Sequence, residues 1–371
     1  MASFELSEDQ RIIRDTVAGF AREQIRPAAR PADETGTIPE ALVSKAWELG
    51  LVRGAIPSAF GGYDDERSAV TGAIVSEELA YGDLGIALHI LAPRLVAFPV
   101  LEMGTDEQRK RCLPAFGGDR FAAGTAALVE PRFDFDVSDM STVARRDRSG
   151  WLLNGQKCYV PLARESAQIL VYAAIEGQTG LTGVSGFIVG RDTPGLTISE
   201  REKNMGIKAL ATYEMTLKDC HIGAEARLGG ESGGKTNVTR LMSEARVALA
   251  AAGVGVMRAA FEYARDYAKE RKAFGVPIAT KQAIAFMLAE MATEVDASRL
   301  LVWQAASRLD KGEDGLKESY LTKNYVAAAA LKVTDNAVQV LGGHGYIREH
   351  PVEMWLRNAR GLSSFEGITT V

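Results

Sequence analysis

The sequence predicts an α+β protein in three successive parts: an N-terminal α-helical domain over 1–121, a middle antiparallel β-barrel-like domain over 122–230, and a C-terminal four-helix-bundle-like α domain over 231–371. Three observations predict it. Helix-like stretches with polar joints fill the first third; short strand-like runs with no helix of useful length between them fill the second. In the last, Ile284, Leu288, Met291, Val295, Ser298, Val302, Ala305 and Leu309 keep a 4-3 spacing for more than three heptads.

Taken in order, Ser7 with Gln10 reads as a capping box, and Ile13, Val17, Phe20 and Ala21 then share one helix face until Pro27 ends the pattern. Helical stretches continue through EALVSKAWELG, AVTGAIVSEELAYG and LAPRLVAFPVLEMG, with Gly61-Gly62 as the clearest break. In WLLNGQKCYV, Asn154-Gly155 stands between apolar runs and predicts a hairpin turn; QILVYAAI, GFIVG and YEMTLKDCHI read as strands, so an antiparallel sheet or small barrel is expected. Two long helices, RLMSEARVALAAAGVGVMRAAFEYARDYAKERKAF and YLTKNYVAAAALKVTDNAVQVLG, flank the heptad helix, with small residues that permit close approach.

The composition, 46% hydrophobic and 25% charged, is that of a soluble globular protein. A net charge of −5 and a pI near 5.6 argue against a surface for nucleic acid or anionic lipid. Cys112, Cys158 and Cys220 are an odd number at wide spacings with no C-x-x-C, so neither a disulfide framework nor a zinc site is suggested. The acidic, amphipathic start and the lack of an apolar run of membrane-spanning length lead to the expectation of a cytoplasmic protein.

Gly229 to Thr236, GGESGGKT, fits the phosphate-loop pattern at every fixed position, and Gly230 to Gly234 also fits G-x-S-x-G. Both chemistries need a strand to deliver the loop, and AEARL is a poor core strand with only helical sequence after it. The octet therefore reads as a glycine-rich connector. ERKAFG reads either as a basic helix end with a glycine cap or as a phosphate anchor. Gly342, Gly343 and Gly345 of QVLGGHGY either cap a helix or bring bare backbone to an anion, with His344 structural. Glu366, before Gly367 in SSFEGITTV, reads as a solvated turn residue or, in a closed pocket, as a general base.

The ordered set LSEDQ, FGG, EELAYGD, VEP, LNGQK, GFIV, EKNMGIK, LMSEARVALAAAGVG, YAKERKAFG, QAIAFMLAEM, VQVLGGHGY and FEG resembles the acyl-CoA dehydrogenase family along essentially the whole chain. The resemblance implies FAD as cofactor and an acyl-CoA substrate of fatty acid metabolism. It implies α,β-dehydrogenation to a 2-enoyl-CoA, with hydride passing to flavin N5 and then to electron-transfer flavoprotein or a similar acceptor. It also implies a homo-oligomer, a dimer or a homotetramer. By matching motifs Glu366 takes the catalytic position. Leu128, Val129, Tyr159, Pro161, Arg271, Phe274, Gln282, Gln339, Gly342 and Gly343 take cofactor positions, and Phe135, Arg246 and Gly367 take substrate positions.

The departures gather around the flavin. Where the family commonly has hydroxyl residues, this chain has Val129 and Pro161, and Pro161 also lacks an N–H; Phe135 replaces a small hydroxyl residue near the pyrophosphate and CoA path, beside an added Asp134. These changes keep a second reading open, a non-catalytic or flavin-poor subunit of a heteromeric dehydrogenase. Lys235 of the octet is expected to be dispensable for flavin retention.

Overall fold

The first helix begins where the capping box places it. Ser7 Oγ accepts from Gln10 N and Gln10 Oε1 accepts from Ser7 N, both at 3.1 Å, in a computed structural model that describes residues 5–230 and 238–371. Helix α1 (Glu8–Phe20) passes through a π turn, Ala21–Ile25, into α2 (Arg26–Thr35). Pro27 therefore does not end the helix. It follows the π turn at the start of the next α segment, where its missing N–H is tolerated. Helices α3 (Glu40–Glu48), α4 (Ala69–Gly82), α5 (Leu84–Leu91), α6 (Arg94–Met103), α7 (Asp106–Cys112) and α8 (Pro114–Gly117) complete the first part.

The middle part is a seven-stranded sheet of β1 (Thr125–Ala127), β2 (Val143–Arg146), β3 (Gly150–Pro161), β4 (Gln168–Ile175), β5 (Val184–Gly190), β6 (Leu196–Arg201) and β7 (Thr212–Gly223). It is mixed, not purely antiparallel. Along one edge β4 takes β1 and then β2 in parallel, and along the other it takes β5 antiparallel. The expected hairpin at Asn154-Gly155 is absent, and β3 runs straight through it. Asn154 instead exchanges side-chain hydrogen bonds with Asp219 of β7, and a β-bulge falls between Leu153 and Gly155. A Cβ on Gly155 would meet Thr142 Oγ1 at 2.4 Å, so this glycine serves close packing and not a turn.

The last part contains α9 (Val238–Glu270), α10 (Gln282–Asp310), α11 (Leu316–Leu341), α12 (Gly343–Tyr346) and α13 (Val352–Arg360), with a small hairpin, β8 (Lys272–Ala273) and β9 (Val276–Pro277), before α10. The heptad positions from Met291 to Leu309 are buried, with Ile284 and Leu288 packed at the margin. Helix α9 lies between α11, α10 and α4. A Cβ on Gly255 would meet Glu77 O at 2.2 Å, so the small residue is what lets α4 approach. Glu77 and Glu78 of α4 are buried there and matched by Arg258 and Arg299 at 2.5–2.9 Å. The first and last parts thus share one apolar core; one face of the sheet packs with α3, α6 and the start of α9 in a second, and its other face forms a third.

Two helical stretches, Leu84–Met103 and Val238–Glu270, are long and apolar enough to cross a membrane by length and composition, yet both are mostly buried inside the protein. The three cysteines are free and buried.

Candidate functional site

After β1 the chain leaves the sheet at Leu128 and returns as β2 at Val143, and this excursion forms one wall of an inner cavity of about 630 Å³. A buried charge pair holds the excursion in place. Lys157 of β3, fully buried, donates to Leu128 O at 2.9 Å and to Glu130 Oε1 at 3.0 Å, and Glu130 also accepts from Ser141 N and Thr142 N at 2.7 and 2.8 Å. Burial pulls Lys157 down to about 8, with Glu130 opposing it. Although burial works against it, Lys157 and the two N–H donors hold the Glu130 carboxyl below the usual range. Cys158 N donates to Val129 O at 2.9 Å, closing the wall. The Cys158 thiol lines the cavity, but burial pushes it up to about 12, which leaves it unsuited to nucleophilic work.

The opposite wall comes from α9, α11 and the turn Ser363–Glu366. Phe365 is buried with its ring edge-on to Tyr159, 5.6 Å between centroids, so Glu366 next to it is carried to the cavity. Its side chain keeps 17% of its exposure. Arg246 Nε, on α9, lies 3.4 Å from both carboxylate oxygens, and Lys323 Nζ, on α11, lies 3.5 Å from Oε1. The Glu366 N–H meets no acceptor among the described residues. Gly367 has φ +60, and a Cβ there would meet Leu128 Cδ2 at 2.5 Å; glycine is required on both counts for the chain to turn behind Glu366.

A second, outer cleft of about 530 Å³ lies between Tyr267 and Arg271 of the α9 end and Gly342 to His344. Gly342 ends α11 at φ +59, and no heavy atom comes within 4 Å of a Cβ built on it or on Gly343, so bare backbone faces the cleft. His344 Nδ1 pairs with Tyr267 Oη at 2.6 Å. The expected glycine-capped helix end at ERKAFG is a β-hairpin instead. Phe274 (φ +54) and Gly275 (φ +82) form its two-residue turn, because Lys272 and Ala273 pair with Val276 and Pro277. The Phe274 side chain is 95% exposed.

The site residues expected from sequence thus fall into four groups. Val129, Phe135, Tyr159, Arg246 and Glu366 meet in the inner cavity, and Arg271, Gly342 and Gly343 meet in the outer cleft. Leu128, Pro161 and Gly367 are buried behind the inner wall, while Phe274, Gln282 and Gln339 are exposed and line neither space. Lys323, Glu130 and Lys157 carried no assignment from the sequence. A lysine on the apolar face of YLTKNYVAAAA was the available signal for Lys323. Of the glycine-rich octet, Gly229 and Gly230 follow a 3-10 turn, and Gly229 N donates to Gln108 Oε1 at 3.1 Å. Arg227 meets Phe187 of β5 in an isolated antiparallel bridge, so no parallel strand among the described residues delivers them. Residues 231–237, with Ser232 and Lys235, lie outside the described residues.

Comparison with known proteins covers the whole chain. Models of the acyl-CoA dehydrogenase N-terminal, middle and C-terminal domains match residues 7–118, 125–220 and 232–371. The chain is similar to the short-chain specific acyl-CoA dehydrogenase of Bos taurus mitochondria, 33% identical over 372 residues, covering 100% of this chain and 89% of that protein. Its fold is similar to butyryl-CoA dehydrogenase from Megasphaera elsdenii, with TM-score 0.88, 29% identity and coverage of 100% and 96%. It is also similar to PigA solved with FAD and proline, with TM-score 0.89, 25% identity and the same coverage.

Proposed function

Because the chain belongs to the acyl-CoA dehydrogenase family, we propose that Glu366 takes the α-proton of an acyl-CoA thioester on the way to a 2-enoyl-CoA, with FAD as resident cofactor. The observation that carries this reading is the placement of Glu366: a carboxylate largely withdrawn from water, at the edge of a cavity of about 630 Å³, beside an N–H with no acceptor among the described residues. A thioester α-proton is too weakly acidic for a solvated carboxylate, so the base has to be desolvated and the enolate oxygen has to receive hydrogen bonds. The Glu366 N–H is the chain's own donor for that oxygen.

The residues present fit a flavin dinucleotide in two parts. Val129, Tyr159 and the loop pinned by Lys157 would hold the ring beside Glu366, and Arg271 with the bare backbone at Gly342 and Gly343 would meet phosphate. FAD, when bound, supplies the hydride acceptor. Electron-transfer flavoprotein or a similar acceptor would reoxidise it. The two spaces are separate in one chain, and Phe274 and Tyr346 stand 95% and 87% exposed near the outer one. We therefore propose a homo-oligomer in which a second copy covers this surface.

The test uses purified protein supplied with FAD, butyryl-CoA and an artificial electron acceptor, since two similar proteins are named for short acyl groups. Glu366→Gln should keep its flavin absorbance and lose turnover by about 10³-fold. Turnover at the unaltered level would remove Glu366 from the chemistry. A colourless protein that FAD cannot reconstitute would instead favour the non-catalytic subunit.

A further inference from the structure

Lys323 is a charged residue in a place where charge is expensive. Its side chain is only 7% exposed on α11, among small apolar neighbours. Glu366 is the only carboxylate at ion-pair distance from it among the described residues. Of the other acids on the cavity wall, Glu130 has Lys157, Asp136 has Ser138 and Glu202 has the Tyr159 N–H as donors, while Glu214 is exposed on β7. Lys323 Nζ also lies 3.5 Å from Ser363 O, three residues before Glu366. One ammonium therefore touches both the base and the turn that carries it.

Arg246 approaches the same carboxylate from a different helix, α9, and sits 5.2 Å from the centre of the Tyr320 ring, one turn before Lys323. A glutamate side chain has three soft torsions, and only some of its rotamers aim the carboxylate into the cavity. Two cations converging from two helices restrict that choice before any substrate arrives, which is the kind of preorganisation that proton abstraction needs. Separations of 3.4–3.5 Å are longer than a tight charge-assisted hydrogen bond, so the carboxylate is aimed without being locked.

We infer that Lys323 is a positioning residue for Glu366, fixing the carboxylate and the Ser363–Glu366 turn so that the base faces the cavity. The inference rests on the reading of Glu366 as base. Its test follows α-proton transfer alone, by mass-spectrometric uptake of deuterium into acetyl-CoA, which has α-hydrogens and no β-carbon, on the FAD-loaded protein in deuterated buffer. Turnover of butyryl-CoA is measured in parallel. Lys323→Met should lower both the exchange rate and kcat by about tenfold or more while KM stays within about twofold, and Lys323→Arg should recover most of the loss. Exchange at the unaltered rate in folded Lys323→Met overturns the inference, as does a change confined to KM. Exchange that survives in Glu366→Gln defeats the reading of the base itself, and the inference with it. Should Lys323→Met not fold, Lys323→Gln is judged by the same two rates.

Discussion

The inner cavity and the outer cleft are made from opposite materials. The inner cavity is assembled from seven places in the chain, and the charges at its centre are withdrawn from water and paired: Lys157 with Glu130, and Arg246 and Lys323 with Glu366. The outer cleft is made of two contiguous motifs at helix ends, with Arg271 exposed and glycine backbone bare, beside aromatic side chains that project into solvent. The difference teaches where each kind of chemistry can be housed. A base that must work on a weak carbon acid needs withdrawal from water, which only long-range packing supplies. Phosphate contact needs a cation and free N–H groups, which a helix end and a hairpin supply locally.

If that contrast is right, the inner half is the fragile one. Glu366→Gln has the largest expected effect, on turnover alone. Next comes Lys157→Met, which leaves Glu130 buried without its cation and should cost about 3–5 kcal/mol in urea unfolding. A loss under about 1 kcal/mol would mean that the N–H donors at Ser141 and Thr142 suffice. The same variant has a pH signature. Lys157 sits at about 8 in the folded protein against 10.5 as its ordinary value. Between those values the unfolded chain holds the proton and the folded one does not, so this group adds stability as pH rises from 8 towards 10.5 and contributes no pH dependence below. The gain, about 3 kcal/mol, should be missing from Lys157→Met when unfolding is compared across that window.

A smaller effect sharpens the other side. Arg271→Ala should weaken FAD binding by about 10- to 100-fold, as for loss of a hydrogen bond to a charged group, with kcat at saturating FAD unchanged. If kcat falls as well, the two spaces do not act separately. The smallest expected change comes from Val129→Thr, which restores a hydroxyl on the cavity wall and should tighten FAD by up to about 1.5 kcal/mol in equilibrium dialysis. No change would show that the hydroxyl is not what governs flavin retention in this chain.

Much of the helical framework was legible because helices advertise themselves locally. The Ser7–Gln10 box and the 4-3 row from Met291 to Leu309 both stand where periodicity and capping place them. The sheet was less so. Asn154-Gly155 carries the strongest hairpin signal in the chain, yet it lies inside β3, because pairing with Asp219 and close packing on Thr142 override the dipeptide's turn preference. Pro27 misled for the same kind of reason: a π turn upstream absorbs its missing N–H. Of the site, Glu366, Arg246, Arg271 and the Gly342-Gly343 pair were reached through the ordered motifs. Lys323 was not, since a lysine on the apolar face of an alanine-rich helix signals burial but not which partner it meets.

By itself the sequence determined the three-part order, the family, and the motifs that carry Arg271, the Gly342-Gly343 pair and Glu366, because each of these is written in short-range pattern. Only the tertiary structure decided that the first and last parts share one core through Gly255 and the Glu77–Arg258 contact, and that the two motif groups lie in separate spaces. It also decided that Glu366 stands between cations from α9 and α11. The reason is physical: burial and charge pairing are properties of residues distant in the chain brought to within a few ångströms, and no local pattern encodes a neighbour that far away.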